Sequence, residues 1–538
     1  MGLILTNLIY SLVFILITIK ELITEKYDHD IDQFMYFGSR ILHGELIWTK
    51  EFDDKSPIVQ YIFSIPATFK NTNIFVLITL IVSVIGALLG YIMLKDILKD
   101  SELDIQNKLK NSILYFGTIL YLTLLACIYG SLHHINAISS SLCLITISIT
   151  YLNQEKRNKI LTNISAITSA LSISIRPYYL LNMIFIPIWL SLRRTKNIVE
   201  KENTYKKGKI MSYIISQTNW IAIVTFYILL FNVTPYIISG NLTDFVYGIK
   251  LNSIDYVDHN IFLRQYINIG RNPILYPLLL AMISLPVIRI FFQKIIHKYY
   301  KKKENGLLKL YKLDIDIIFF GIFSPILLEI MFYKKHFFGH YFTLFSPYIF
   351  ISSVLLLTLL ARINKLINGF YIFKYSIKNI FIVSLIICLI TNQSLPETIS
   401  QILNKNITNK SYKLDLTKKF LEKEKIKSND FGFLAPNDNY VHWKLDESRH
   451  GFPQKAVFRN IANGRMDILT KEYASPSYKF LLPNKDNLCK ILSSNGPKYI
   501  ITERNDFSFN CLNKKSSEYK LLTSTKTLNE NNIYIFKR

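Results

Sequence analysis

The chain has 538 residues, 50% of them hydrophobic and 14% aromatic, and its apolar residues are gathered into runs, which excludes an ordinary soluble globular protein. The formal charge of +25 comes from Lys and Arg concentrated in short segments between those runs. No basic helix with interleaved aromatic residues stands in a soluble segment, so the charge argues for membrane topology and against nucleic-acid binding.

The runs are about 17–22 residues long, the length that crosses a bilayer core. The first, residues 3–19, has no small-residue cleavage site after it and is expected to be an uncleaved span. Residues 20–72 form a polar and acidic loop. In it, Gln33 to Gly44 carries Phe34, Phe37, Ile41 and Leu42 at near-helical spacing. That pattern predicts an amphipathic helix closed by Gly44, lying in the membrane interface, packing as a lid on the spans, or both, with a second such helix after Pro57. Further runs fall at 74–94, 111–129, 133–152, 160–175, 177–192, 210–231, 273–292, 313–332, 341–360 and 379–391, for about eleven spans in all. Arg176-Pro177 separates two short runs, which are either two spans or one broken hairpin, because Pro interrupts a helix.

Every second loop is basic. Loops 95–110, 153–159, 193–209, 294–312 and 361–378 carry most of the Lys and Arg and are expected to face the cytoplasm. Loop 20–72, the turns near 130–132 and Arg176, loops 232–272 and 333–340, and the tail from 392 then face outward. The N-terminus lies inside and the C-terminus outside. The expected fold class is an α-helical polytopic membrane protein with a transmembrane domain over 1–391 and a soluble extracytoplasmic α/β domain over 392–538. In that tail, Phe431–Leu434, Lys498–Thr502 and Ile533–Phe536 are strand-like, and 411–427 is helical in pattern. Cys127, Cys143 and Cys388 lie in apolar runs and fit membrane packing. Cys489 and Cys511 are candidates for a disulfide in an oxidising compartment.

The first outer loop is where chemistry is expected. Asp28, Asp30 and Asp32 sit just after a span, and Asp53, Asp54 and Lys55 lie further along. A carboxylate at a membrane interface, near apolar walls, can serve as a general base. Acidic residues at a helix start also serve as a solvated turn or a cap, and spacing alone does not choose between these roles. Outward cations are few: Lys55, Arg176, Arg264, Arg271, Lys334 and Lys335, with His336 and His340. They could clamp a lipid phosphate, or Arg176 could snorkel to headgroups. His133-His134 has no third ligand at metal spacing.

These residues resemble those of the polytopic GT-C glycosyltransferases, the group of protein O-mannosyltransferases, glycosyltransferase family 39 and bacterial relatives. Proteins of that group carry an Asp soon after the first span, an aromatic stretch, a Leu-x-Gly turn and a Phe-Asp-x-Lys-x-Pro segment. Here the matching residues are Asp30, then Phe34, Tyr36 and Gly38, then Leu42-His43-Gly44, then Phe52-Asp53-Asp54-Lys55-Ser56-Pro57. Ser174-Ile175-Arg176-Pro177 and Gly339-His340-Tyr341 resemble two later motifs of the group. Ile31 stands where many relatives have a second acid, and His133-His134 where they have an acid outside the third span.

The resemblance implies inverting sugar transfer from a polyprenyl-phosphate donor to a lipid, glycan or protein acceptor at the outer face of a bacterial plasma membrane. Asp30 is then the base, with Asp32 as its substitute. Lys55, Arg176, His340 and Lys335 bind the donor phosphate, and Asp53 and Asp54 line the acceptor side of the loop. No ligand cluster calls for a cofactor or metal, although the chemistry tolerates a divalent ion. The competing reading is a lipid-linked glycan flippase or other polytopic transporter. Asp314, Asp316 and Glu329, in or beside one span, are the charges it would use.

Overall fold

The computed structural model describes residues 2–23, 29–49, 55–100, 107–127, 131–202, 207–253, 315–323 except 318, 343–366, 431–434, 498–503, 519–526 and 532–538, with a few single positions between them. The described helices are α1 (Gly2–Ile23), α2 (His29–Leu42), α3 (Pro57–Thr68), α4 (Asn73–Asp100), α5 (Asn107–Cys127), α6 (Ile135–Lys156), α7 (Lys159–Ile175), α8 (Asn182–Glu202), α9 (Lys207–Asn232), α10 (Thr234–Ile238), α11 (Leu242–Ser253) and α12 (Ser346–Leu366). Among the described residues, five stretches are long and apolar enough to cross a membrane: Asn73–Lys99, Asn107–Ala126, Ile135–Gln154, Ile215–Asn232 and Thr343–Ala361. This is the architecture of a helical membrane protein. Helices α1, α7 and α8 overlap three further expected runs. The runs at 273–292 and 379–391 lie outside the described residues, as does most of 313–332.

The chain divides into two compact units. One holds Met1–Ile23, Val76–Ile228 and Tyr256–Thr398, and the other holds Thr24–Phe75, Leu229–Asp255 and Ile399–Arg538. The second is assembled from three separate stretches of the chain.

In the helical unit, the span-length stretches of α6 and α12 are each 94% buried, whereas that of α9 is 17% buried. Helix α6 carries Ser139-Ser140-Ser141 in its second turn. The three hydroxyls explain why it can be central. Ser139 exchanges hydrogen bonds with Ser172 of α7: its Oγ donates to the Ser172 carbonyl at 3.0 Å, and the Ser172 Oγ donates back at 2.8 Å. Ser140 pairs with Ser346 of α12 at 2.7 Å. Ser141 pairs with Ser83 of α4 at 2.8 Å and accepts from the Tyr121 hydroxyl of α5 at 3.1 Å. One turn of α6 thus bonds four other helices. Small residues let backbones approach, and an inward hydroxyl away from lipid finds a partner across the interface. Glycines work the same way: a Cβ at Gly86 would meet the Ser141 carbonyl at 3.1 Å, and one at Gly90 the Phe350 ring at 2.6 Å.

Arg176-Pro177 does separate two helices. Helix α7 ends at Ile175, a 3-10 turn spans Pro177–Leu181, and α8 begins at Asn182.

In the second unit, α2 and α3 form a helical hairpin. The end of α2 follows from its sequence. Gly44 has φ +77°, its N–H bonds the Ile41 carbonyl at 2.9 Å, and the Glu45 N–H bonds the Arg40 carbonyl at 3.1 Å. This is a Schellman closure, which needs a left-handed residue and so favours Gly. Arg40 and Glu45 add a two-pronged ion pair over the same turn. Helix α3 starts with Pro57 at its first position, where the missing N–H costs nothing.

The burial of α2 fits the packed lid that its pattern also allowed. Phe34, Met35, Tyr36 and Phe37 are buried, and so are Gln33, Ser39 and Arg40 on what would be its polar face. A helix covered on all sides is interior. The polar side chains are accommodated locally: the Ser39 hydroxyl donates to the Tyr36 carbonyl at 2.6 Å, and Arg40 takes Glu45.

The hairpin crosses at Gly38. A Cβ there would lie 2.7 Å from the Ser64 N and closer still to the Phe63 carbonyl group. Ala normally outranks Gly inside a helix by about 1 kcal/mol. Here Gly38→Ala is expected to lower stability instead, by about 1–3 kcal/mol, because the obstacle is backbone that cannot rotate away. Thermal unfolding of the solubilised protein measures this, and an unchanged or raised midpoint would refute the tight crossing.

The tail contributes a four-stranded sheet of β1 (Phe431–Leu434), β2 (Tyr499–Glu503), β3 (Lys520–Lys526) and β4 (Asn532–Lys537), in the order β1-β2-β4-β3. β1 pairs parallel to β2, and β4 runs antiparallel to both β2 and β3. Ile500 and Phe536, paired across the β2–β4 ladder, are buried. Lys498 and Lys537 place their ammonium groups over the Tyr499 ring at 5.7 and 5.6 Å. Three of these strands coincide with the strand-like pieces of the sequence. β3 does not, and the 411–427 segment lies mostly outside the described residues.

Candidate functional site

The expected site residues fall in both units. Asp30 and Asp32 lie in the first turn of α2, a position where the helix N-terminus favours an anion. Lys55 and the extended Ser56 stand directly before α3, partly exposed. Asp30, Asp32 and Lys55 therefore belong to one unit, joined by the α2–α3 hairpin, whereas Arg176 belongs to the other. Asp28, Asp53, Asp54, Lys335 and His340 lie outside the described residues.

Within the second unit, the stretch after α2 is held by an aromatic cluster that the sequence did not single out. Trp48 adopts φ +70°, a left-handed conformation unusual for a bulky residue. Its ring centroid lies 5.7 Å from that of Phe245 and 6.2 Å from that of Tyr236. The Tyr236 hydroxyl donates to the Ile47 carbonyl at 2.6 Å. Burial pushes that hydroxyl's pKa well up, with neighbouring Tyr61 and the buried carboxylate of Asp244 adding to the rise. Tyr236 is thus a fixed donor at all ordinary pH. The cluster couples residues 47–48 to α10 and α11, joining two loops that are nearly two hundred residues apart.

Gly248 makes this docking feasible. A Cβ there would lie 2.7 Å from the Trp48 Cγ and closer still to other ring atoms. Gly248→Ala is expected to displace Trp48, to lower stability by about 1–3 kcal/mol, and to change the near-ultraviolet circular dichroism. An unaltered spectrum would show that the ring does not rest on Gly248.

In the helical unit, a polar cluster forms where α1, α6 and α7 have their expected outer ends. The Glu21 carboxylate lies 2.8 Å from the His133 Nε2, and both residues are buried. The pair becomes ionic when the ring is protonated. His133 Nδ1 is buried without a hydrogen-bond partner among the described residues. His134 caps α6, its Nδ1 accepting from the Asn136 N–H at 3.2 Å. The Asn136 Oδ1 accepts in turn from the Arg176 Nε. Arg176 is 7% exposed and its backbone closes α7, the N–H reaching the Ser172 carbonyl at 2.9 Å. It is therefore an anchored guanidinium, where the sequence also allowed a snorkelling one.

Glu21 was missed because it follows Lys20 at the end of an apolar run and reads as ordinary loop polarity. Among the described residues no group of three or more His, Cys, Asp or Glu is placed to hold a metal.

A second buried charge cluster lies at the expected cytoplasmic side. The Asp316 carboxylate accepts from the Trp189 Nε1 at 2.8 Å and forms a close ion pair with Arg193. Arg193 also donates to the Tyr151 hydroxyl at 3.3 Å and stacks over its ring at 5.3 Å. Tyr151 donates to Asp96 at 3.2 Å. The set ties α4, α6 and α8 to the segment at 315–317.

No protein-family model matches this chain, and no curated protein matches it. What the fold defines is a helical membrane protein, with an acid-bearing helical hairpin after its first helix.

Proposed function

We propose that the chain is a membrane glycosyltransferase that moves a sugar from a polyprenyl-phosphate donor to an acceptor at the extracytoplasmic face. The observation that carries the reading is the state of the first loop. It is a built hairpin, with Asp30 and Asp32 in the first turn of α2 and Lys55 directly before α3.

In the reaction, an acceptor oxygen attacks the anomeric carbon of the donor sugar. The bond from that carbon to the phosphate oxygen breaks, with inversion. Asp30 takes or orients the acceptor proton, and the electron pair leaves with the polyprenyl phosphate. Lys55, in the same unit as Asp30, offsets the growing phosphate charge.

The transporter reading draws on Asp316. Both oxygens of that carboxylate are engaged by Trp189 and Arg193, which favours a structural role. The two readings separate in vesicles. The purified protein is reconstituted with labelled polyprenyl-phosphate sugar and a crude acceptor fraction. Release of polyprenyl phosphate with label in the acceptor supports transfer. Movement of intact lipid-linked sugar between leaflets, with no bond broken, overturns it in favour of transport.

A further inference from the structure

Helix α11 has three distinct faces. Asp244, Phe245 and Gly248 are buried, and on this side the helix meets Trp48. Thr243 is exposed and polar. Between these faces runs a stripe of Leu242, Val246 and Ile249, at i, i+4 and i+7, each exposed by more than two-fifths. The stripe does not stand alone. In α10 just before it, Ile237 is 59% and Ile238 81% exposed. Upstream again, Leu229 and Leu230 are exposed in the last turn of α9. That helix contains a span-length apolar stretch ending at Asn232. The Val233 N–H bonds the Leu229 carbonyl at 2.8 Å, and the Tyr236 N–H bonds the Val233 carbonyl at 3.0 Å, so the chain leaves the span without an extended linker.

We infer that α10 and α11 lie along the outer surface of the bilayer, with Leu242, Val246 and Ile249 in the boundary between headgroups and acyl chains. The occupant follows from continuity. The exposed Leu229 and Leu230 at the end of α9 are followed in the same unit by the exposed Ile237 and Ile238 and then, after the short turn Ser239-Gly240-Asn241, by the α11 stripe. The other place in this unit where the chain meets a span shows the same feature: Ile65 and Phe69, at the end of α3 and just before α4, are exposed. A helix with one apolar stripe, one polar face and modest length is the form that settles at an interface. The third face, locked on Trp48, then ties the first outer loop to a membrane-bound element. This inference requires only that α9 spans the membrane, and it holds whatever reaction the protein performs.

The test is collisional accessibility of spin labels. Leu242→Cys, Val246→Cys, Ile249→Cys and Thr243→Cys are made singly in the full chain, labelled, and reconstituted in phosphatidylcholine–phosphatidylglycerol vesicles. The signal of the parent chain, labelled identically, is subtracted to remove native cysteines. Oxygen, which concentrates in lipid, should dominate over a water-soluble nickel chelate at 242, 246 and 249, with a ratio severalfold above that at 243. Equal ratios at all four positions would overturn the assignment in favour of a water-facing surface. Low collision rates with both reagents along the stripe would overturn it in favour of a protein partner.

Discussion

Replacing Asp30 with Asn is expected to reduce sugar transfer by about 10²–10⁴-fold, the range that a positioned general base contributes. Asp32→Asn should retain most of the activity. The comparison is informative because the two residues share the first turn of α2. Each contributes about 0.3–1 kcal/mol to that helix as an N-terminal anion, so the two variants should lose similar small amounts of stability. A large difference in turnover between variants of equal stability then reports chemistry. Turnover and thermal unfolding are measured on the same preparations. Loss in Asp32→Asn alone would move the base two residues along. Full activity in both variants would remove the first loop from the mechanism. Lys55→Ala should act differently, raising the concentration of donor needed for half-maximal rate, because it removes a phosphate contact present before the reaction as well as during it.

The second large effect concerns stability. Asp316→Ala leaves the Arg193 guanidinium buried without its counter-charge and the Trp189 N–H without its acceptor. Breaking a buried pair from one side costs about 3–5 kcal/mol, much of it the penalty for the stranded charge. The double variant Arg193→Met with Asp316→Leu should recover most of that loss, since two apolar residues of similar volume need no partner. The midpoint of thermal unfolding in detergent measures both. A single variant within about 1 kcal/mol of the parent would mean that water reaches the pair and that the clamp is weak. Asp316→Asn adds a further discrimination. It keeps an acceptor for Trp189, so transfer should persist at reduced stability. A transporter relying on Asp316 as its ion-binding acid would instead lose transport.

Much of the second unit's backbone was legible locally. Gly44 and Pro57 carry conformational demands of their own, so the end of α2 and the start of α3 follow from residue type. Phe431–Leu434, Tyr499–Glu503 and Asn532–Lys537 alternate or concentrate strand-forming residues and lie between turn signals. β3 escaped because Lys-Leu-Leu-Thr-Ser-Thr-Lys has little apolar alternation. It is a strand because β4 pairs with it, with a bulge between Leu521 and Thr523 that breaks the period-two pattern. The burial of the polar side chains of α2 was not legible for a related reason. Near-helical spacing of Phe34, Phe37, Ile41 and Leu42 shows one apolar face, but not whether the opposite face is also covered. Gln33, Ser39 and Arg40 are buried there because partners close in sequence take up their polar groups, or packing does.

The sequence by itself determined that the chain is built of membrane-length apolar helices, which segments carry the positive charge, and where an acidic helix follows the first helix. Those are properties of composition and short-range period, which each segment expresses alone. Only the tertiary structure decided which polar groups meet inside. Ser139, Ser140 and Ser141 are adjacent in sequence, yet they bond different helices. Arg193 finds Asp316 across 123 residues. Trp48 finds its seat on Gly248. The physical reason is that a polar group withdrawn from water must be satisfied, and in a bundle the available partner is set by which helix faces it, a property no local window contains.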